Sequence, residues 1–303
     1  EGRARVFFAM GGNFARATPD SGYTERALQR CDLTAHVTTK LNRSHLVHGK
    51  QALILPCLGR SELDLQASGP QSVTVEDSMS MIHASRGRFQ PASPMLLSEP
   101  AIIAGLAKAT LGKDKVDWDE LVADYDRIRD LIGKTIPGFE DFNNRIRQPG
   151  GFYLGNSAGR RDWRTQWNKA RFSVAAIPDL SLPDGVLRLM TIRSHDQYNT
   201  TIYGLDDRYR GIKKERKVVF LNEKDAAALG LSGGDLVDMA SVYDDGRERV
   251  ARGFRIVPYN IPSGCAAAYF PETNVLVSVD AMADRSHTPV SKYIPVRLQR
   301  SAG

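Results

Sequence analysis

Cysteine is scarce in this chain of 303 residues: Cys31, Cys57 and Cys265 stand far apart, with no C-x-x-C pair among them. That scarcity argues against a disulfide framework and for a reducing compartment. It argues equally against a Cys-ligated zinc or iron–sulfur cluster within the chain, since either needs about four soft ligands. Long apolar runs are also missing. None approaches the ~20 residues that cross a bilayer, and the longest are strand-sized, such as Gln51–Pro56. Internal repeats and low-complexity tracts are lacking, and so is a dinucleotide-binding G-x-G-x-x-G. No charge of one sign dominates: 41 basic against 35 acidic residues give +6, a surplus compatible with a polyanionic ligand but too diffuse for nucleic acid. The chain opens on Glu1-Gly-Arg-Ala-Arg5, without Met or a signal segment, and is expected to be a fragment of a longer protein.

What is present is a globular composition. With 42% hydrophobic and 25% charged residues the chain can bury real cores, and its length suggests about two domains. Arg5–Met10 reads as a buried strand closed by the tight turn Gly11-Gly12-Asn13. Tyr23–Arg30 reads as a helix, Leu33–Thr39 as a second strand and Leu53–Pro56 as a third, with 42–50 ambiguous. Strand, helix, strand with short loops is the grammar of an open α/β sheet. Ser98 caps a helix ending at Gly112, and apolar spacing predicts one helix over Trp118–Ile132. From Arg145 to Gly185, Pro, Gly and five arginines predict a loop-rich connection. Beyond it the pattern becomes β: Val186–Ile192, Lys217–Phe220, Leu236–Ser241, Val250–Ile256, Cys265–Tyr269, Asn274–Ser278 and Ile294–Leu298. One helix, Asn222–Leu229, intervenes. Many short, turn-separated strands suggest a small barrel. The expected domains are 1–145, a connection at 146–185, and 186–303.

Several motifs compete for chemistry. The Gly11–Asn13 turn either closes a strand or offers backbone N–H groups at the carboxyl edge of a sheet. Gly155-Asn-Ser157-Ala-Gly159 fits the nucleophile elbow G-x-S-x-G, but Phe152-Tyr-Leu154 is a poor lead strand and Arg160-Arg-Asp162 a poor helix start. His195 and Asp196 lie downstream of it, but adjacent in sequence and on one motif. His45 and His48 have helical metal-ligand spacing without a nearby carboxylate, so packing or surface roles compete. Lys213-Lys-Glu-Arg-Lys217 reads as a solvated hairpin loop. Thr191-Ile-Arg-Ser-His-Asp-Gln-Tyr-Asn-Thr200 is the richest polar block; Arg supplies bidentate phosphate contacts and amides supply matched donors and acceptors, as a phosphate or polar heterocycle requires.

A family resemblance then joins these pieces. Asn222-Glu-Lys-Asp-Ala-Ala-Ala-Leu-Gly-Leu-Ser-Gly-Gly-Asp-Leu-Val237 resembles the N-P-x-D-A-x-x-L-G-I-x-x-G-D-x-V segment of the molybdopterin-dinucleotide-binding domain, which closes the large subunit of molybdenum and tungsten oxidoreductases. Leu187–Arg193 is similar to that domain's opening strand, Asn274-Val-Leu-Val277 to its N-x-L-T element, and Pro289–Arg297 to its closing P-x-x-K-x-x-x-V-R strand. Met10-Gly-Gly-Asn13 and Leu53-Ile-Leu-Pro56 resemble elements of the preceding α/β domain. Thr39–His45 and Val75–His83 look like the formate-dehydrogenase-like branch of the DMSO reductase superfamily.

The resemblance implies a partial Rossmann-like α/β domain followed by a double-psi β-barrel. It implies bis(molybdopterin guanine dinucleotide) with Mo or W, and a 4Fe-4S cluster and metal ligand on a missing N-terminal part of the same large subunit. It also implies a possible electron-transfer partner and a cytoplasmic location, with neither nucleic acid nor a membrane span. Carried over position by position, Gly12 and Asn13 match the turn touching a guanosine end, and Lys40 lies near a post-strand polar contact. Arg193, Ser194, Gln197 and Asn199 match the pterin and phosphate contacts of the first barrel loop; Asn274, Ser291 and Lys292 match late contacts. Two positions depart from the family: Ala52 replaces an acidic residue and Gln197 a histidine. A stand-alone pterin- or nucleotide-binding module without turnover is the alternative from another class.

Overall fold

A computed structural model describes residues 2–112, 114–177, 179–199 and 201–302; Thr200, which closes the polar block, and the two terminal residues lie outside them. The chain divides into two compact units. One gathers Glu1–His36, Leu41–Ile54 and Pro178–Gly303, the other Val37–Lys40 and Leu55–Ile177.

The first unit begins with β1 (Val6–Met10), α1 (Phe14–Ala17), α2 (Ser21–Gln29), β2 (Leu33–Thr38) and β3 (Gln51–Pro56), with sheet order β1-β2-β3. Gly11 and Gly12 turn the chain out of β1 at φ +66° and +71°, a backbone region that costs glycine little. Near their starts, Leu33 N–H donates to Arg5 C=O at 3.2 Å and Gln51 N–H to Asp32 C=O at 2.9 Å, joining start to start as in a parallel sheet. The ambiguous stretch after β2 contains a 3₁₀ turn, Arg43–Leu46. Asn42 explains it: its side chain accepts from Ser44 N–H at 2.9 Å while its own N–H donates to His45 Nδ1 at 2.8 Å. β2 is buried along nearly its whole length, whereas the equally apolar β3 is exposed throughout.

The second unit holds the hairpin β4 (Leu65–Gln66) and β5 (Gly69–Pro70), then β6 (Val73–Glu76) and β7 (Met81–Ser85). Helices α3 (Glu99–Leu111), α4 (Trp118–Ala123), α5 (Tyr125–Thr135) and α6 (Phe142–Ile146) follow, and β8 (Phe152–Tyr153) completes an antiparallel sheet β6-β7-β8. The single helix expected over Trp118–Ile132 is two. Asp124, in extended conformation, breaks it, and its side chain caps α5 by accepting from Asp126 N–H at 3.0 Å. Ile82, Phe142, Ile146 and Phe152 form the core here. After β8 no helix or strand occurs among the described residues until 187.

The rest of the first unit is a closed barrel of six strands: β9 (Leu187–Ile192), β10 (Val218–Leu221), β11 (Leu236–Ser241), β12 (Val250–Pro258), β13 (Cys265–Tyr269) and β14 (Ile294–Arg300), in the order β10-β12-β11-β14-β9-β13. Alternation on β9 puts Leu187, Leu189 and Thr191 inside, while β10 is buried at all four positions. Leu189, Val219, Met239, Phe254, Ile256, Ala268 and Ile294 fill the barrel. Apart from Ala268, each of these side chains contributes about 1.5–3 kcal/mol on burial. α7 (Glu223–Ala228) is capped by Asn222, whose side chain accepts from Lys224 N–H at 2.9 Å. One expected strand is absent: Asn274–Leu276 is a 3₁₀ turn, with Asn274 and Leu276 buried. Its apolar run plugs the barrel core instead of pairing.

Candidate functional site

Strand directions gather the expected site residues at one end of the barrel. β9 and β13 are parallel, while β10 and β14 run antiparallel to β13 and β9. The exits of β9 and β13 therefore lie beside the entries to β10 and β14. Arg193–Asn199 leave β9, Asn274 follows β13, and Ser291 and Lys292 precede β14; Thr191 N–H donates to the Ser291 carbonyl at 3.0 Å.

The structure divides the first-loop residues. Ser194 and Gln197 are 5% and 8% exposed, and both point inward to Arg216. Arg216 Nη1 donates to Ser194 Oγ at 2.9 Å, and Nη2 to Gln197 Oε1 and the Phe270 carbonyl, both at 2.9 Å. Arg216 Nε donates to Glu272 Oε1 at 3.0 Å, and its guanidinium lies 3.8 Å over the Tyr203 ring. Gln197 Nε2 donates to the Phe270 carbonyl at 2.7 Å, so at this departure from the family the amide serves as both acceptor and donor. The expected solvated loop at Lys213–Lys217 is corrected at one position: Lys213, Lys214 and Lys217 are exposed, but Arg216 is 5% exposed, buried because its partners come from three distant segments. Arg193 and Asn199, by contrast, are exposed, Asn199 at φ +54°.

Arg193 and Lys292 form no ion pair among the described residues. Lys292 Nζ donates to the Thr191 carbonyl. Burial, then the neighbouring Arg193 charge, holds its ammonium below the ordinary lysine value. Two neighbouring cations repel, and an anion relieves that repulsion.

Asn274 ties this end of the barrel to α1: its Nδ2 donates to the Arg16 carbonyl at 2.8 Å, and its carbonyl accepts from Asp20 N–H at 2.9 Å. Asn13 Oδ1 accepts from Ser44 Oγ–H at 3.2 Å, and the Gly12 carbonyl accepts from Asn42 Nδ2 at 2.8 Å. Asn13, Arg16, Glu25, Arg43, Thr201 and Tyr203 line a cavity of about 430 Å³. Arg43 is paired with Glu25 at 3.2 Å, whereas the Arg16 guanidinium has no ion pair among the described residues. Arg16 and Arg216 escaped sequence reasoning; the first sits in an ordinary helical turn and the second in a run of surface-type charges. Lys40 is exposed just after β2, in the other unit, and its carbonyl accepts from Thr38 Oγ1–H at 2.9 Å.

The competing motifs resolve locally. His45 Nδ1 is occupied by Asn42 N–H, and its ring stands edge-on to His36 at 5.0 Å. His48 Nδ1 lies 2.8 Å from the Gly49 carbonyl. Ser157 lies in a turn after the two-residue antiparallel strand β8, and among the described residues no helix leads out of that turn, so the elbow geometry is missing.

Comparison with known proteins agrees with this geometry. Residues 187–295 match the family model described as Molydopterin dinucleotide binding domain. The chain is 53% identical over its whole length to "Uncharacterized oxidoreductase Rv2900c" of Mycobacterium tuberculosis. It is 48% identical over 99% of its length to "Protein YdeP" of Escherichia coli K12. It spans 40% of the length of each. Acetylene hydratase from Pelobacter acetylenicus shares the fold, with a TM-score of 0.58 at 14% identity, over 98% of this chain and 44% of that one. Residues 187–295 of the barrel thus resemble a molybdopterin-dinucleotide-binding domain, and the chain as a whole is similar to a part of proteins of which one is named an oxidoreductase.

Proposed function

We propose that this chain holds bis(molybdopterin guanine dinucleotide), carrying Mo or W, in a formate-dehydrogenase-like oxidoreductase. The single observation that carries it is the set of uncompensated cations, Arg16, Arg193 and Lys292, beside loops that the family model covers or that share their unit. The donor set fits the group. Elsewhere at the barrel the buried arginines are neutralised, Arg216 by Glu272 and Arg249 by Asp20 and Asp245. Arg16, Arg193 and Lys292 have no ion pair among the described residues, and a pyrophosphate can use such cations through charge-assisted hydrogen bonds.

In this proposal Arg193, Lys292 and Arg16 bind phosphate and pterin oxygens, with Asn199 and Ser291 beside them. Gly12 and Asn13 present the β1 turn to a guanosine end, where a side chain at 12 would meet nothing within 4 Å and the backbone stays approachable. Ser194, Gln197 and Asn274 hold these loops. The bound group would supply the redox chemistry at its metal, while the protein contributes binding and electrostatics.

The barrel from about 186 is then the cofactor domain, 1–145 a partial Rossmann-like domain and 146–185 their connection. The metal ligand, a 4Fe-4S cluster and the electron-transfer contacts would lie on the remainder of the same large subunit, in the cytoplasm. Leu53, Ile54 and Leu55 of β3, 40–48% exposed, suit covering by further polypeptide, since an apolar strand of this kind is ordinarily buried on both faces. Among the described residues no helix is long and apolar enough to cross a membrane. The test is dye-linked formate oxidation by the native protein together with its metal content. Turnover with stoichiometric Mo or W supports the whole reading; cofactor without formate turnover leaves the binding function and removes the formate branch.

A further inference from the structure

Arg216 carries more bonds than a buried ion pair needs. Its side chain and that of Glu272 are 4% and 9% exposed, and such a pair is seldom a net stabiliser, because desolvating two charges offsets their attraction. What the pair does is geometric. Nη1 and Nη2 seize Ser194 and Gln197, three residues apart on one loop, and Nη2 also takes the Phe270 carbonyl at the exit of β13. The Gln197 side chain returns the hold by accepting from Ser194 N–H at 3.2 Å. Tyr203, stacked on the guanidinium, donates its hydroxyl to Glu272 Oε1 at 3.0 Å and also lines the cavity beside Asn13 and Arg16. Only a planar fork with several N–H groups can serve these acceptors together; a lysine ammonium cannot.

We propose that Arg216, backed by Glu272, is a positioning residue that fixes the 193–199 loop and the Tyr203 wall, so that Arg193 and Asn199 face an anionic ligand in one arrangement. The identity of that ligand rests on the cofactor reading above; the holding of the loop does not. The pair is neutral overall and adds no attraction of its own. Its contribution is preorganisation, which lowers the ordering cost that binding would otherwise carry.

The experiment compares the native protein with Arg216→Met, Arg216→Lys, the double variant Arg216→Met/Glu272→Gln, and Ser194→Ala. Three quantities are read: the unfolding midpoint, amide hydrogen exchange across 193–199, and bound pterin by fluorescence after oxidation. Arg216→Met strands a buried carboxylate and lowers the midpoint; the double variant removes both charges and recovers most of that loss. The loop nevertheless exchanges about ten-fold faster or more in the double variant, and pterin retention falls about ten-fold or more. Arg216→Lys does not rescue the loop, and Ser194→Ala, which folds normally, loosens it more mildly. A purely structural pair predicts that loop protection and retention recover with the midpoint, and that result, or unchanged exchange in Ser194→Ala, overturns the proposal. Native protein without pterin would sink the cofactor reading, while the exchange data still decide the role of Arg216.

Discussion

The Asn274 side chain donates to the main-chain carbonyl of Arg16 at 2.8 Å, joining positions 258 residues apart. Asn274 is 2% exposed, and its own carbonyl accepts from Asp20 N–H. One short turn after β13 thus fastens the first two helices to the barrel. Asn274→Ala should cost about 1–3 kcal/mol, because the Arg16 carbonyl loses its donor. Asn274→Asp, although nearly the same shape, should cost at least as much, since an acceptor then faces an acceptor. Urea unfolding midpoints measure both. Wild-type stability in the Asp variant would contradict the assigned bond.

Arg193 and Lys292 should each matter for retention and little for folding. Charge-assisted bonds to the ligand are worth about 1.5–3 kcal/mol each. Arg193→Ala or Lys292→Ala should therefore weaken cofactor retention roughly ten- to a hundred-fold, with a small change in midpoint because exposed cations stabilise little. Pterin fluorescence after oxidation reads the occupancy. Since Arg193 helps hold the Lys292 ammonium below its ordinary value, Arg193→Ala should also raise the Lys292 pKa, which NMR titration would detect.

Much of this was legible in the sequence, for identifiable reasons. Barrel strands such as Leu187–Ile192 alternate inside and outside, and Val218–Leu221 is an unbroken buried run; both are local patterns. Asn274–Leu276 misled because Val-Leu-Val suits a strand or a buried turn equally well, and only the fold decides. Asp124 was hidden inside good helical spacing; its capping of α5, not its hydrophobicity, ends α4. Arg216 was unreadable in principle. Its neighbours in sequence are surface-type charges, whereas its partners lie 13 to 56 residues away.

Acid should loosen the first unit through Asp245. Its hydrogen bond from Arg249, reinforced by Ser278 and the Arg247 N–H, holds its carboxyl well below the usual carboxylate range against the opposing effect of burial. A depressed folded-state value gives stability that is present above the unfolded value, near pH 4, and lost as pH falls toward the folded one. Urea midpoints of the native protein should thus be little affected by Asp245 titration from pH 7 to 5 and drop below pH 4. Asp245→Asn should be less stable at pH 7 and show a shallower acid limb. An identical acid limb in the variant would discount Asp245 as its source.

Two glycines should respond to alanine with opposite sign. A Cβ at Gly87 would stand 1.8 Å from the Glu62 carbonyl oxygen, so Gly87→Ala should destabilise by about 1–3 kcal/mol or more. Gly105 lies within α3, and its Cβ would meet nothing within 4 Å. Gly105→Ala should stabilise by about 0.5–1 kcal/mol through helix propensity. Thermal midpoints moving in the same direction would refute one of these placements.

Whether this barrel end holds a molybdopterin dinucleotide is decided most directly by what the native protein releases on denaturation and oxidation. The account predicts oxidised pterin and GMP in equal amounts, together with Mo or W, and the loss of all three in a variant combining Arg193→Ala with Lys292→Ala that still folds. Native protein free of pterin and guanine nucleotide, or full occupancy in that folded variant, would contradict it.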